Sequence, residues 1–205
     1  MDGKITTITR ERLKEAADVL QQAFAADPMM QYIFATSESS LEESGQKLFI
    51  FSCEVRLLLD WPLYGVIDSS RKLVGVAGLS LPGEAHWPPA LQKVYDDFKQ
   101  TAGPESTRRL EAYSELADTG RPSEPHFQLG VIGVLPETQG KGYGGLMMAE
   151  LHRMAESDPT STGVWLDTET ENNVAYYQKR GYQVVAHSKL DDTVDIWGMF
   201  RPDMQ

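Results

Sequence analysis

The sequence predicts an α/β protein whose sheet contains both parallel and antiparallel strands. Stretches of strand length that are rich in Val, Ile and Leu alternate with stretches whose apolar residues recur every three or four positions. Two pairs of strand-like stretches are separated only by short polar segments, and they predict hairpins over 63–79 and 182–201. A strand, a helix and a second strand follow one another over 127–168. Hairpins together with such a unit favour a sheet of mixed direction.

The N-terminal part of the chain is predicted to hold one strand and several helices. Residues 4–9 predict a strand, and Thr9 is a candidate cap for the amphipathic helix that follows it. An Asp-Pro pair ends that helix, and a short apolar turn or helix is predicted over 29–34. A polar loop over 36–44 then leads to another helix, which apolar spacing indicates over 48–59.

The centre of the chain interrupts the pattern of the sheet. The first hairpin is predicted from strands over 63–68 and 73–79. Residues 82–125 then contain two helical pieces in place of strands. We interpret this segment as a helical insertion in one domain that spans residues 1–205.

Composition limits the classes of function. The 205 residues are 41% hydrophobic, which suits one folded domain and excludes a disordered chain. Lys and Arg number 19 against 30 Asp and Glu, so the formal net charge is −11. Such a surface repels phosphate backbones, so we expect no nucleic acid partner. The same charge favours cationic small molecules as ligands.

The cysteine content and the hydropathy pattern bear on location. The single cysteine, Cys53, cannot form a disulfide within the chain, and its apolar helical surroundings predict a buried, unreactive thiol. No stretch approaches the run of about 18 apolar residues that a membrane-spanning helix needs, so we expect no membrane partner. We therefore expect a cytoplasmic protein.

A glycine-rich loop opens a helix shortly after a predicted strand. The strand covers 127–134, Pro136 ends it, and the helix beyond carries an apolar stripe of Met147, Leu151 and Met154. Glycines without a Cβ let the backbone curl, so that several N–H groups and the helix N-terminus aim at one point. This geometry binds an anion, most often a phosphate. The loop consists of Gln139, Gly140, Lys141, Gly142, Tyr143, Gly144 and Gly145.

Dinucleotide binding is one interpretation of this loop. Gly140, Gly142 and Gly145 satisfy the pattern G-x-G-x-x-G, and Asp167 follows near the spacing of the acidic residue that binds a ribose. However, the first glycine of that fingerprint comes almost directly off the strand, whereas residues 135–139 intervene here. Too little chain follows for a doubly wound sheet, so we prefer a second register.

In the second register, the loop has the form Gln139-x-x-Gly142-x-Gly144. With it the chain resembles the GCN5-related N-acetyltransferase (GNAT) superfamily, in which such a loop holds the pyrophosphate of acetyl-CoA. Two more segments carry the resemblance. Residues 173–182 look like the second signature of the family, an Asn and a Tyr before a Gly-aromatic pair, and residues 195–201 look like its closing strand.

The resemblance also implies a subfamily and a fold. The pattern of residues 126–129, together with 166–168 and Asn173, is similar to the puromycin acetyltransferase branch. The implied fold is a twisted, mostly antiparallel sheet that is flanked by helices and splayed between two central parallel strands. Those strands would be 127–134 and 163–168, with the thioester end of the cofactor entering between them.

Acetyl-CoA as co-substrate, and no metal ion, follow from the resemblance. The pyrophosphate would lie in the loop from Gln139 to Gly145. The thioester arm would lie along the backbone of Ile132, Gly133 and Val134. Backbone N–H groups of Gly133 or Val134 are candidates for binding the thioester carbonyl, because backbone donors need no special side chain.

Tyr177 is the candidate catalytic residue. It takes the position of the family tyrosine four residues before the glycine, whose hydroxyl protonates the departing thiolate of CoA. Tyr176 points about 100° away around a helix, so the two hydroxyls cannot both face the sulfur. Asn173 lies one turn before Tyr177, where its amide can bind the pantetheine arm or cap the helix.

The base that accepts the proton of the amine is left open by the sequence. Some family members carry a glutamate on the strand before the glycine loop, but Gln128 occupies that position here, and an amide cannot accept the proton. His126 has a side chain of suitable unperturbed pKa at the entrance of the strand. A water chain, or an amine that arrives neutral, are the alternatives.

We therefore expect a GNAT-type N-acetyltransferase that acts on a primary amine of a small molecule, as a monomer or homodimer. A protein or peptide acetyltransferase and a non-catalytic acyl-CoA-binding module are the alternatives. The first needs an open groove, and the second has no use for a proton donor at Tyr177. The insertion and the segment 27–34 are expected to wall the acceptor pocket. Its candidate lining residues are Trp87, Tyr95, Glu111, Tyr113 and Glu115.

Overall fold

One seven-stranded sheet with helices on both faces forms the protein. The computed structural model describes residues 2–37, 39–83 and 85–203. The strands are β1 (Lys4–Thr7), β2 (Leu63–Ile67), β3 (Leu73–Ser80), β4 (Phe127–Val134), β5 (Gly163–Thr168), β6 (Gln183–Leu190) and β7 (Val194–Pro202). The helices are α1 (Leu13–Ala23), α2 (Pro28–Ile33), α3 (Leu41–Leu58), α4 (Pro89–Ala102), α5 (Pro104–Ala117), α6 (Tyr143–Ser157) and α7 (Glu171–Gln178).

The order of strands across the sheet is β1-β2-β3-β4-β5-β7-β6. Strands β4 and β5 run parallel, and every other neighbouring pair in this sheet is antiparallel. The mixed, mostly antiparallel sheet predicted from the sequence is therefore confirmed. The parallel pair is short, because only Phe127 with Val164 and Gln128 with Trp165 are in register before the strands separate. The splay therefore lies between the two strands that the resemblance implied.

Adjacent residues on β4 show that α1 and α6 cover opposite faces of the sheet. A Cβ on Gly133 would lie 2.8 Å from Cβ of Ala23 in α1. Val134 instead faces the side on which Met147 of α6 packs over Gly75. Successive side chains of a strand alternate between faces, so the two helices sandwich the sheet. Met147 is fully buried, and such burial contributes about 1.5–3 kcal/mol per large apolar side chain.

The start of the chain differs from the prediction. β1 ends at Thr7 instead of residue 9, and a 3-10 turn, Arg10–Arg12, precedes α1. Thr9 does not cap a helix, because its side chain makes no capping hydrogen bond to the backbone. Its hydroxyl instead donates to Oε2 of Glu11 at 2.5 Å. The hydroxyl of Thr9 thus binds the nearby carboxylate of Glu11 in place of a backbone N–H group of the helix.

Helix α3 begins earlier than predicted. The prediction gave a loop over 36–44 and a helix over 48–59, whereas the helix is Leu41–Leu58. Ser40 is its N-cap, with Oγ accepting from the N–H of Glu43 at 3.1 Å. Acidic residues in the first turn also favour a helix N-terminus through the helix dipole. The first turns of α3 are rich in polar residues, and for this reason the prediction assigned them to a loop.

Helices α4 and α5 are the two helical pieces predicted within 82–125. They meet at Gly103, whose φ of +81° suits a glycine and lets the chain reverse. Helix α4 packs on α3, and α5 packs on α2, β6 and β7. Together they cover the space above the ends of β4 and β5.

The single cysteine, Cys53, is fully buried, as the sequence predicted. Burial raises the pKa of its thiol to about 12, so the thiol stays protonated. Within the described residues, no helix combines the length and the apolar character that crossing a membrane requires.

Candidate active site

The glycine loop has the backbone geometry that its sequence predicts. After β4, a short 3-10 turn, Pro136–Thr138, leads to Gly140 with φ of +76° and Gly142 with φ of +90°. Residues with a Cβ rarely adopt this left-handed region, so both positions require glycine. Gly142 is the N-cap of α6, and the first N–H groups of that helix have no acceptor within it. The loop therefore directs free N–H groups outward, as an anion site needs.

The side chains of the loop residues differ in what they contact. Nε2 of Gln139 donates to the carbonyl oxygen of Val134 at 3.3 Å, and Lys141 is exposed. The ring of Tyr143 is buried, with Cε1 only 2.8 Å from where a Cβ on Gly3 would lie. Tyr143 can therefore offer a ligand its backbone N–H but not its side chain.

A cation next to the loop was missed in the sequence. The guanidinium of Arg180 stacks 3.5 Å from the ring centroid of Tyr176, and its Nη1 donates to the carbonyl oxygen of Tyr176. A Cβ on Gly145 would lie 3.6 Å from Nη2 of Arg180, and one on Gly144 would lie 3.0 Å from the hydroxyl of Tyr176. The spacing of four residues between Tyr176 and Arg180 was the available signal. Arg180 adds positive charge at the N-terminus of α6.

The backbone of β4 directs N–H groups toward the splay. The N–H of Leu135 donates to the carbonyl oxygen of Val74 on β3 at 2.9 Å. Backbone groups of successive strand residues point to alternate sides, so the N–H of Gly133 also points to β3. The N–H groups of Ile132 and Val134 point to the gap where β5 has separated. Of the two candidates for binding a carbonyl, the geometry favours Val134 over Gly133.

A cavity of about 630 Å³ lies in the splay. Its floor is β4 from Gln128 to Ile132 and the end of β5, and α3, α4 and α5 form its other walls. The segment 27–34 contributes Met29. Four of the five predicted lining residues do line it, and Glu115 does not. The four are Trp87, Tyr95, Glu111 and Tyr113.

The two adjacent tyrosines of α7 face different places. Tyr177 lines the cavity, and its ring packs edge-on against Tyr182 with centroids 5.6 Å apart. Tyr176 faces the glycine loop, as its position near Gly144 shows. Burial raises the pKa of Tyr177 well above its ordinary value. The hydroxyl of Tyr177 therefore keeps its proton at neutral pH and can act as a donor.

Asn173 does not cap α7. The N-cap is Thr170, whose Oγ1 accepts from the N–H of Asn173 at 3.3 Å. The side-chain amide of Asn173 donates to Oγ1 of Thr168 at 3.0 Å, at the end of β5. The capping role predicted for Asn173 is therefore wrong, but the residue does line the cavity beside Tyr177.

Two carboxyl groups share one hydroxyl in the cavity wall. The hydroxyl of Tyr113 is 2.5 Å from Oδ2 of Asp167 and is also hydrogen-bonded to Glu169. Burial raises the pKa of Asp167 to about 6, and burial together with the charge of Asp167 raises the pKa of Glu169. Two carboxyl groups with raised pKa values that meet at one hydroxyl favour a state in which one proton is held between them.

The sequence interpretation did not assign these acids to the acceptor pocket. Asp167 and Glu169 are two residues apart at the end of β5, a spacing that directs side chains to one face of a strand. That spacing was the only signal. Tyr113 comes from the insertion, more than fifty residues away in the chain. Only the fold brings the three groups together.

His126 is not free to take a proton from a substrate. Its Nδ1 lies 2.7 Å from the carbonyl oxygen of Glu124 and must donate there, because a carbonyl only accepts. Its Nε2 accepts from Nε of Arg121 at 3.0 Å. His126 is buried, burial lowers its pKa, and it does not line the cavity. Gln128 does line the cavity, but its amide has no basic atom.

Known proteins share this architecture. Residues 110–184 match the acetyltransferase (GNAT) domain family. A solved structure described as histone acetyltransferase HPA2 and related acetyltransferase, from Corynebacterium glutamicum, aligns over 100% of this chain and 99% of its own. The alignment has a TM-score of 0.67 at 20% identity. An agmatine N-acetyltransferase aligns over 98% of this chain and 100% of its own, with a TM-score of 0.68 at 14% identity.

Two further proteins are similar to this chain. A mosquito arylalkylamine N-acetyltransferase like 5b aligns over 98% of this chain and 99% of its own, with a TM-score of 0.63 at 14% identity. A probable serine/threonine-protein kinase from Dictyostelium discoideum is 36% identical over an alignment of 98 residues, and the match covers 42% of this chain and 10% of that protein. The chain thus spans about a tenth of the length of that curated relative. At these identities, the structural likeness establishes the fold.

Proposed function

We propose that the chain moves an acetyl group from acetyl-CoA to a primary amine of a small molecule, because residues 110–184 match the acetyltransferase (GNAT) domain family and the fold is that of known N-acetyltransferases. The observation that carries the proposal is the separation of β4 from β5. Strand β4 lines the cavity up to Ile132, beside Tyr177, and its last residues lead along the gap to the glycine loop. A cofactor that bridges the loop and the cavity would bring a thioester beside that hydroxyl.

The residues present fit acetyl-CoA. The free N–H groups at the start of α6, with Lys141 and Arg180 beside them, suit a pyrophosphate. The N–H groups of Ile132 and Val134 face the gap, where they suit the carbonyl groups of an extended arm. When bound, the cofactor supplies an activated acetyl carbon for direct attack by an amine.

Tyr177 is the proposed proton donor to the sulfur that leaves. Its raised pKa keeps the phenol neutral, which a donor requires. Asn173, hydrogen-bonded to Thr168, is held at the same wall and is proposed to bind the arm of the cofactor. A binding module without chemistry would have no use for a protonated hydroxyl at this position.

Asp167 and Glu169 are the proposed proton acceptors for the amine. With one proton between them, the pair carries one negative charge in the cavity wall, which attracts an ammonium group. The raised pKa of Asp167, about 6, gives its carboxylate more basicity than an ordinary aspartate has. These residues take the role for which the sequence left open His126, a water chain or an amine that arrives neutral.

The helices that wall the cavity support a small acceptor. Helices α4 and α5 wall it, and Trp87 and Tyr95 pack edge-on with ring centroids 5.8 Å apart. A protein or peptide acceptor needs an open groove instead, so that function is the alternative. The finer assignment to the puromycin acetyltransferase branch rests on sequence pattern and stays a prediction, as does a single domain over 1–205.

Tyr177→Phe tests the proposal, because it keeps the ring and removes only the hydroxyl. We expect kcat, measured as CoA release with a small primary amine, to fall by ~10²-fold or more with little change in acetyl-CoA affinity. Tyr182→Phe is the matched control, since Tyr182 packs on Tyr177 but its hydroxyl bonds His152. An unchanged kcat in Tyr177→Phe, with chemistry shown to limit turnover, would leave Tyr177 as a packing residue.

A further inference from the structure

A cation without a counter-ion faces the cavity from α3. Nη1 of Arg56 donates to the carbonyl oxygen and to Oγ of Ser52, each at 3.0 Å. Nε of Arg56 is buried and has no hydrogen-bond partner. Among the ion pairs of the described residues, none includes Arg56. Burial lowers the pKa of the guanidinium to about 10, so it stays charged at neutral pH.

Two neutral hydrogen bonds do not balance the charge of this half-buried side chain. Burying a cation costs free energy unless an anion is paired with it. As the basic residue in the last turn of α3, Arg56 also interacts favourably with the helix dipole, but this modest contribution is smaller than that of a paired anion. The guanidinium therefore needs a different explanation.

Glycines on two strands leave room for this side chain. A Cβ on Gly130 of β4 would lie 2.0 Å from Nη2 of Arg56, and a Cβ on Gly78 of β3 would lie 3.2 Å from Nε. Gly130 does not have a positive φ, so its backbone would accept another residue. The absence of a side chain at Gly130 thus serves the guanidinium, which reaches the sheet where the sheet forms the cavity floor.

The position excludes the phosphates of the cofactor as the partner of Arg56. Gly130 precedes Val134 by four residues, which at about 3.3 Å per residue puts it roughly 13 Å further from the glycine loop. Arg56 also lines the same cavity as Tyr113, Asp167 and Glu169. Within this cavity, an anionic group that reaches Arg56 therefore belongs to the acceptor.

We propose that the acceptor is a bipolar amine, with an acidic group, most simply a carboxylate, that pairs with Arg56 while its amine faces Asp167 and Glu169. This inference rests on the proposed function and narrows its substrate class to amino acids and similar amines. A guanidinium binds a carboxylate through charge-assisted hydrogen bonds, and Nη2 of Arg56, which makes no hydrogen bond within the described residues, is the donor left for such a ligand.

The experiment compares matched acceptors. The probes are the proteinogenic amino acids, β-alanine, γ-aminobutyrate, taurine and phosphoethanolamine, with ethylamine, propylamine and butylamine as partners without an acidic group. We expect wild-type kcat/KM to favour at least one acidic probe over its matched alkylamine. In Arg56→Gln this ratio should fall by about 10- to 100-fold, mostly through KM, because a charge-assisted hydrogen-bonded pair is lost.

Two further variants make the test specific to the guanidinium. Gly130→Ala keeps the arginine but displaces Nη2, so the same ratio should fall. Arg153→Gln removes one arginine from the exposed face of α6 and should leave the ratio unchanged. The melting temperature of Arg56→Gln should not decrease, since an unpaired charge that is partly removed from water has been replaced by a neutral side chain.

Each outcome is decisive. Equal kcat/KM for acidic probes and matched alkylamines, or a ratio that survives Arg56→Gln, overturns the role of Arg56 and leaves the acetyltransferase proposal intact. A large loss of stability in Arg56→Gln with an unchanged ratio makes Arg56 structural. Both proposals are overturned if no amine is acetylated and if no acidic probe protects the CoA-bound protein against thermal unfolding.

Discussion

The most quantitative prediction concerns the buried acid pair and the pH dependence of stability. Burial raises the pKa of Asp167 from 3.8 to about 6. The folded state thus binds this proton more tightly than the unfolded chain does, and the stability this gives is fully present below the unfolded pKa. It is lost as the pH rises through the folded pKa. A shift of about two pKa units corresponds to about 3 kcal/mol.

Asp167→Asn removes this dependence, because an amide is neutral at every pH and still accepts from the hydroxyl of Tyr113. Relative to wild type, the free energy of unfolding of the variant should improve by up to about 3 kcal/mol between roughly pH 4 and pH 7.5. Loss of the charge at Asp167 also relieves the raised pKa of Glu169, which adds in the same direction. Urea unfolding at a series of pH values measures both curves.

Glu115→Gln is the control for that experiment. It removes an exposed carboxylate from α5, the helix that carries Tyr113, and should leave the pH dependence of wild type unchanged. If the unfolding free energies of wild type and Asp167→Asn stay parallel across the pH range, Asp167 is ordinarily solvated. The shared-proton interpretation would then be wrong.

The remaining predictions concern the cofactor, the base and the pH optimum. Gly142→Val should abolish the stabilisation by acetyl-CoA in thermal unfolding, because the φ of +90° at this position excludes a β-branched residue. NADH should stabilise neither the wild type nor the variant. Normal affinity of the variant for acetyl-CoA would show that the loop is only a turn. His126→Gln should retain kcat within about threefold, since both ring nitrogens are engaged within the protein; a loss near ~10²-fold would restore His126 as the base. The kcat/KM of wild type should rise as the pH passes through about 6, because the pair of Asp167 and Glu169 ionises there. If kcat/KM does not change with pH in either wild type or Glu169→Gln, these two residues do not accept the proton of the amine.

The sequence predicted the parts of the fold that local patterns encode. Strands β4 and β5 have the predicted bounds, and the loop glycines at Gly140 and Gly142 have the left-handed conformation that their spacing indicates. The start of α3 was missed, because a capping serine followed by acidic residues has the composition of a loop until its hydrogen bond is seen.

The chemistry of the acceptor side could not be predicted in this way. The carboxyls of Asp167 and Glu169 depend on Tyr113, and Arg56 depends on Gly78 and Gly130, each from a distant segment of the chain. Periodicity reports which face of an element is apolar, but not which charge lacks a partner once the elements pack. His126 had a suitable intrinsic pKa in the sequence, and only the contacts with Arg121 and Glu124 remove it as a candidate.

The central claim is that acetyl transfer to a small amine takes place in the cavity between β4 and β5. Mass spectrometry of a mixture of small amines and peptides, incubated with the protein and acetyl-CoA, tests it most directly. The account predicts small amines that gain one acetyl group per CoA released, with the yield greatly reduced in Tyr177→Phe. Acetyl-CoA binding with acetylation of peptides alone, or of no amine, would contradict it.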